Sequence, residues 1–305
     1  MMTVLVHTKA ELEAVAAVPQ PSAGGTPIGR PRAVVMTMGA LHEGHATLIR
    51  TARSRVGEEG TVVVTVFVNP LQFGAGEDLD RYPRTLEADL VLAADSGADV
   101  VFAPGVDEVY PGGEPQVRLS AGPMGTGYEG ASRPGHFDGM LTVVAKLLHL
   151  TGPDLAFYGE KDGQQLALIR RMVADLNFPV EIVGVPTVRE PDGLALSSRN
   201  RFLSAVERER ALTLSRALFA ARDVREAGGE PSAVRKAASS VFEAVPSKAV
   251  PSQEAGSTIA LDYLGLIDPA DFTEIDRDDF TGEAVLAVAA KVGATRLIDN
   301  VRLRF

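Results

Sequence analysis

The stretch AVVMTMGALHEGHATLIRTARSRV, residues 33–56, decides the fold. Its first part, AVVMTM (33–38), is a short apolar run that reads as a strand buried on both faces. A glycine-punctuated turn follows. Then Leu48, Ile49, Ala52 and Val56 lay down an apolar stripe at helical spacing. Gly39 permits a tight turn, and Gly44 lets the backbone approach a ligand closely. A helix starting here presents N–H groups and the positive end of its dipole, which suits phosphate. His42 and His45, three residues apart, fall on one side of the first turn. Each can donate to phosphate oxygens and counter charge that builds at an α-phosphorus. The bland alternative is two capping histidines. Position at a strand-to-helix junction favours a triphosphate site, with adenylyl-type chemistry and no acceptor yet defined.

Outward from this stretch the same alternation repeats. TVVVTVFV (61–68), DVVFA (99–103), LAFYG (155–159) and VEIVGV (180–185) read as further buried strands. Between them run helical stripes such as Met140, Val143, Val144, Leu147 and Leu148, and Leu166, Ile169, Met172 and Val173. Strand–helix–strand repetition implies right-handed crossovers. The expected fold class is α/β, a Rossmann-like doubly wound parallel sheet over residues 1–187, with its ligand beyond the carboxyl ends of the strands. After about residue 187 the pattern changes. A long helical segment (204–227) is punctuated by Gly228 and Gly229, and a second helix follows Pro231. A Pro/Ser-rich stretch (246–257) reads as a solvated loop. Strand-like runs near 258–267, 284–290 and 295–303 complete a second, smaller α+β domain, 188–305.

Composition bounds the function. With 305 residues, 45% apolar and 23% charged, the chain can bury a sizeable core without a disulfide or metal staple. It has no cysteine, which excludes a thiolate nucleophile and thiolate zinc sites. A net charge of −10 without a polybasic run argues against nucleic acid or an anionic membrane as partner. Acidic residues interrupt the N-terminal MMTVLVHTKAELEAV where a signal peptide would need an apolar core, and no apolar run is long enough to span a membrane. The expectation is a cytoplasmic protein that holds anions in a local pocket.

Other stretches carry chemistry or imitate it. The histidine pair lacks the HExxH pattern and an obvious third ligand, so a catalytic zinc is not expected. Gly125, Gly127 and Gly130 satisfy G-x-G-x-x-G, but Pro134 and Gly135 block the helix that a dinucleotide site requires. That segment reads as a flexible loop. YGEKDGQQ (158–165) is a second strand end running into a helix. There Lys161 can reach a phosphate, Asp162 can cap the helix or help hold Mg2+, and Gln164 and Gln165 can grip hydroxyls or a carboxylate. LALSSRNRFL (194–203) sets Ser197, Ser198 and Arg199 on a loop suited to covering a triphosphate. Gln72, in VNPLQF (68–73), belongs to the same edge of the sheet.

These segments, in this order, resemble the pantothenate synthetase (pantoate–β-alanine ligase) family of HxGH nucleotidyltransferases. The likeness is carried by TMGALHEGH, FVNPLQFGAGEDLDRYPRT, RPGHFDGMLTVVAKLL, GEKD-x-QQL and VPTVREPDGLALSSRNRFLS. It implies an ATP stretch at Met38, Gly39, Ala40, Leu41, His42, Glu43, Gly44 and His45, with His45 as proton donor. It implies a second at Gly159, Glu160, Lys161 and Asp162, an adenine contact at Val188, and a third stretch at Leu196, Ser197, Ser198 and Arg199. Gln72 and Gln165 would hold pantoate, and Asp89 would be associated with Mg2+. The catalytic set would be His42, His45, Lys161, Ser197, Ser198 and Arg199. The implied partners are ATP, pantoate and β-alanine, with Mg2+ accompanying ATP. A homodimer is implied too, with the second domain as a lid.

Three departures stand out. Met36 occupies a position where the family usually has proline, and Leu196 one where methionine is common. Gly163 replaces an aromatic residue, whose loss is expected to loosen the pantoate pocket or the helix start. Two rivals remain: a nucleotidyltransferase of the same class that stops after nucleotidyl transfer to another acceptor, and a nucleotide-binding regulator without catalysis. The paired glutamines with the GEKD and SSRN segments speak against the first. The intact histidines and lysine speak against the second.

Overall fold

The computed structural model describes residues 3–16, 30–73, 79, 82–245 and 258–305. The Pro/Ser-rich stretch 246–257 lies outside them, as do residues 74–78, 80 and 81 of the second quoted segment. In chain order the elements are β1 (Val4–Val6), α1 (Lys9–Ala16), β2 (Arg32–Thr37), α2 (Glu43–Val56), β3 (Thr61–Val66), α3 (Leu86–Asp95), β4 (Val100–Phe102), α4 (Val106–Val109), α5 (Glu129–Ser132), α6 (His136–Thr151), β5 (Leu155–Gly159), α7 (Gly163–Asp175) and β6 (Glu181–Val185). Then come α8 (Ala205–Glu226), α9 (Pro231–Glu243), β7 (Ile259–Ile267), β8 (Glu283–Val292) and β9 (Thr295–Arg304). Two compact units result. One comprises Met1–Gly159 with Leu168–Val185, the other Glu160–Ala167 with Pro186–Phe305.

The first unit is the expected parallel sheet, in the order β1-β4-β3-β2-β5-β6. From β2 the chain moves outward through β3 to β4, then crosses back to β5 and β6. The topological switch therefore falls between β2 and β5, where ligands gather in open α/β sheets. The loop leaving β2 contains His42, and residue 160 directly follows β5. Ala33, Val35, Val62, Val64 and Phe157 pack with Leu48, Ile49 and Ala52 of α2. The alternate residues Val34, Val63, Val100 and Ala156 are equally buried on the other face. Burial on both faces is why these strands read as unbroken apolar runs. One strand was not legible. β1 is three residues long, too short for a period to show, and it adds a parallel edge beside β4.

Local anchors fix the loops. Asp99 pairs with Arg53 and accepts from Val62 N at 2.7 Å, and Arg53 also donates to the carbonyls of Gly57, Gly60 and Gly97. The G-x-G-x-x-G stretch is not an open loop. It is folded into two short helical turns so tightly that a Cβ on Gly130 would lie 1.8 Å from the Gly125 carbonyl oxygen. No helix among the described residues is long and apolar enough to cross a membrane.

The second unit is an antiparallel sheet β7-β8-β9 covered by α8 and α9. Leu212, Leu214 and Leu218 of α8 pack with Val234 of α9 and with Leu286, Val288 and Leu297 of the sheet. Ser204 and Glu207 close a reciprocal capping box at the start of α8, satisfying two otherwise orphaned donors.

One close approach ties fold to site. Gly139 of α6 faces the short 3-10 turn Pro70–Gln72, and a Cβ there would sit 2.0 Å from the Leu71 carbonyl oxygen. Backbone cannot yield as a side chain can. Gly139→Ala is expected to cost roughly 2–4 kcal/mol, lowering the melting midpoint by about 5 °C or more. A melting curve that superimposes on the parent's would refute this packing.

Candidate active site

After β2 the chain makes a left-handed turn, with φ of 87° at Gly39 and 52° at Ala40. Such a turn exposes N–H groups that the strand no longer pairs. Asp89, buried on α3, takes two of them. Its Oδ2 accepts from Ala40 N at 3.1 Å and its Oδ1 from Leu41 N at 2.8 Å, while the Thr85 hydroxyl also donates to Oδ1. From inside the turn, Thr37 Oγ1 accepts from Gly39 N at 3.1 Å and donates to the Thr65 carbonyl.

The histidines then cap α2 reciprocally. Gly44 N donates to His42 Nδ1 at 3.1 Å, and His42 N donates to His45 Nδ1 at 3.2 Å. The rings lie 4.2 Å apart. Here the sequence reading needs correcting. The Gly44 N–H is spent on His42 rather than left for phosphate, and the capping role is real. Capping and ligand binding are not alternatives, however. With Nδ1 accepting a backbone N–H, each neutral ring must carry its proton on Nε2. The caps therefore set both imidazoles as Nε2–H donors.

Gln72 lies in a second network that sequence reasoning missed. Asn69 caps the 70–72 turn, its Oδ1 accepting from Leu71 N at 3.2 Å. A backbone donor fixes that atom as oxygen, so Asn69 Nδ2 must donate, and it does so to Gly139 O and Gln72 Oε1, both at 3.1 Å. The Gln72 oxygen is thereby engaged by Asn69, which makes Nε2 the donor end of the amide. Tyr110 secures the chain by donating to Asn69 Oδ1 at 2.8 Å, and burial pushes its phenol above the usual range so that it stays a donor. Arg133 and His136 hold the Gln72 carbonyl at 3.3 and 3.1 Å. Asn69 sits within the quoted VNPLQF and the basic pair within RPGHF, but no spacing rule links either to Gln72.

In the second unit Lys161, Ser197 and Arg199 line one cleft together with Asn200, Arg296 and Asp299. Ser197 Oγ accepts from Arg199 N at 3.2 Å, capping the 3-10 turn Ser198–Phe202, and Ser198 and Arg199 are exposed. Leu196 N donates to the Val188 carbonyl at 2.9 Å, which ties the Val188 backbone to the serine loop. Asp299 is buried, and burial pushes its carboxyl up against the opposing pull of the bidentate Arg189 fork at 2.6 and 2.9 Å. Asp162 is exposed just before α7, Gln164 is buried and Gln165 half-buried. A Cβ on Gly163 would lie 3.3 Å from Asn300 Nδ2 and 3.9 Å from Val285 Cγ1, so Asn300 packs against that side. Met36, in its strand ladder, accepts a hydrogen bond on sulfur from the Tyr158 hydroxyl at 3.3 Å.

A family model described as pantoate-β-alanine ligase matches residues 5–302. This chain belongs to the pantoate–β-alanine ligase family. It is 65% identical to the pantothenate synthetase of Streptomyces avermitilis, covering 90% of this chain and 93% of that one. To the Streptomyces coelicolor enzyme of the same name it is 67% identical, over 90% and 91%. The crystal structure of pantothenate synthetase from Thermus thermophilus aligns with a TM-score of 0.81 at 46% identity, covering 97% and 98%. That of the Francisella tularensis ligase, complexed with β-γ ATP and β-alanine, aligns at 0.68 and 30%, covering 98% and 97%.

The Asn69–Gln72 network makes a specific demand on this family member. Tyr110→Phe removes one donor while Leu71 N still holds Asn69. It is expected to raise KM about fivefold for the ligand that Gln72 holds, pantoate by the family resemblance, corresponding to about 1 kcal/mol. Steady-state kinetics with an unaltered KM would separate Tyr110 from that pocket.

Proposed function

We propose that this chain performs the reaction for which its family is named, joining pantoate to β-alanine at the expense of ATP. The observation that carries the chemistry is the reciprocal cap, which commits His42 and His45 to presenting Nε2–H donors. In the first step a pantoate carboxylate oxygen attacks the α-phosphorus of ATP in line. The bond to the bridging oxygen breaks, and pyrophosphate leaves with pantoyl adenylate formed. His42 and His45 donate to the phosphate oxygens as charge shifts onto them, and Lys161, Ser197, Ser198 and Arg199 supply charge and hydrogen bonds along the triphosphate. The Met38–His45 turn, Gly159–Asp162, Val188 and Leu196 contribute to holding ATP. Gln72, through Nε2, and Gln165 hold pantoate. The work is positioning and electrostatics rather than covalent catalysis. In the second step the amine of β-alanine attacks the acyl carbon, loses a proton and expels AMP.

Mg2+ is proposed to arrive with ATP, neutralising phosphate charge. Hard cations of this size are commonly held by phosphates with one or two carboxylates. Asp89 fits that duty poorly, since it is buried and both its oxygens already accept from the turn amides and Thr85. We assign it to bracing the Gly39–Leu41 turn instead. Exposed Asp162 is the freer carboxylate. The family resemblance supports a cytoplasmic homodimer.

A coupled assay for AMP with ATP, D-pantoate and β-alanine tests the reading. AMP release is expected only with all three present. Pyrophosphate release that needs pantoate, without β-alanine-dependent AMP, would instead indicate an adenylyltransferase. In the same assay His45→Ala should slow adenylate formation about 100-fold or more, by analogy with loss of one transition-state donor. Full activity would remove His45 from the mechanism.

A further inference from the structure

We propose that Asn300 is a positioning residue for Lys161, acting through the backbone that carries the lysine. The inference rests on the assignment of Lys161 to the ATP phosphates. Where β5 ends at Gly159, the next carbonyls have no strand ladder to accept from. One amide takes up both. Asn300 Nδ2 donates to the Glu160 carbonyl and to the Lys161 carbonyl, each at 2.8 Å. A primary amide has two N–H groups, and here both are spent on successive carbonyls. The Glu160 carbonyl belongs to the peptide before Lys161 and the Lys161 carbonyl to the peptide after it, so two bonds from one nitrogen orient both flanking peptides, and with them the direction in which Lys161 leaves the chain.

Asn300 is itself held from three directions. It is buried on β9, its N–H donates to Asp299 Oδ1 at 2.7 Å, and its carbonyl accepts from Arg189 Nη2 at 3.2 Å. Arg189 is fixed by its fork on Asp299 and by the Phe219 ring 4.9 Å away. Two residues further along β9, on the same face, Arg302 pairs with Glu160 at 2.7 Å. The strand thus grips the segment twice, by carbonyl and by side chain. The glycine at 163 leaves room for this grip, since a Cβ would press on the very nitrogen that makes it. No acceptor-only side chain can replace the amide. An aspartate in place of Asn300 would be nearly isosteric, yet the carboxylate oxygen standing where Nδ2 does would face both carbonyls with no proton to give.

The test uses the full chain with Lys161→Ala, Asn300→Asp, Asn300→Ser and the Lys161→Ala/Asn300→Asp double variant. Pantoate-dependent pyrophosphate release gives kcat and KM, and thermal melting reports folding. Asn300→Asp is expected to lower kcat about 10- to 100-fold, the scale of a misplaced catalytic group, with KM for pantoate within about twofold. Asn300→Ser, which keeps one donor, should fall between and carries the test if the aspartate variant does not fold. In the Lys161→Ala background Asn300→Asp should change kcat less than about twofold, because its target is already gone. Multiplying losses in the double variant, or a wild-type kcat in Asn300→Ser and Asn300→Asp, would overturn the proposal. Full activity in Lys161→Ala alone would overturn the lysine assignment on which it rests, and is read separately.

Discussion

Backbone groups left over where buried parallel strands end are the constraint on which this structure turns. After β2 the unpaired groups are donors, and after β5 they are acceptors. Asp89 answers the first set with two oxygens, and Asn300 answers the second with two N–H groups. In both cases one side chain, about fifty or about one hundred and forty residues away in sequence, clamps two successive peptides. A buried peptide group without a partner costs about as much as a lost hydrogen bond, so each clamp removes two such costs. These clamps hold the backbone of both turns in place.

The same accounting gives the side chains their direction. His42 and His45 satisfy backbone donors with Nδ1, and this choice of atom makes Nε2 the proton-bearing end. Leu71 N fixes the oxygen of Asn69, which fixes the oxygen of Gln72, which makes the remaining Gln72 nitrogen the donor. A structural need and a chemical role are thus met by opposite ends of one group. The histidines that cap the helix are the ones proposed to meet phosphate.

Much of this was legible in advance because buried parallel strands leave a strong signature. The runs at 33–38, 61–68, 99–103, 155–159 and 180–185 are the strands β2 to β6, within one or two residues at their ends, and Leu48, Ile49 and Ala52 are core as their spacing required. The N-terminal strand escaped notice because three residues cannot display a period. The glycine triplet at 125–130 looked open because glycine signals freedom in sequence, whereas here it signals contact with a carbonyl. At Gly163 nothing nearby in sequence announced that Asn300 packs against the glycine.

By itself, the sequence determined the layered α/β class, the strands and the turns that leave them, and the family to which the chain belongs. Those properties depend on periodicity, on turn residues and on motifs, all of which are local. Only the tertiary structure decided which nitrogen of each histidine accepts the cap, that Asp89 braces a turn, that Tyr110 and Asn69 stand behind Gln72, and that Asn300 holds the lysine segment. Each of these follows from pairing one polar group with another far along the chain. A hydrogen bond between distant residues has no period, so only the folded chain reveals it.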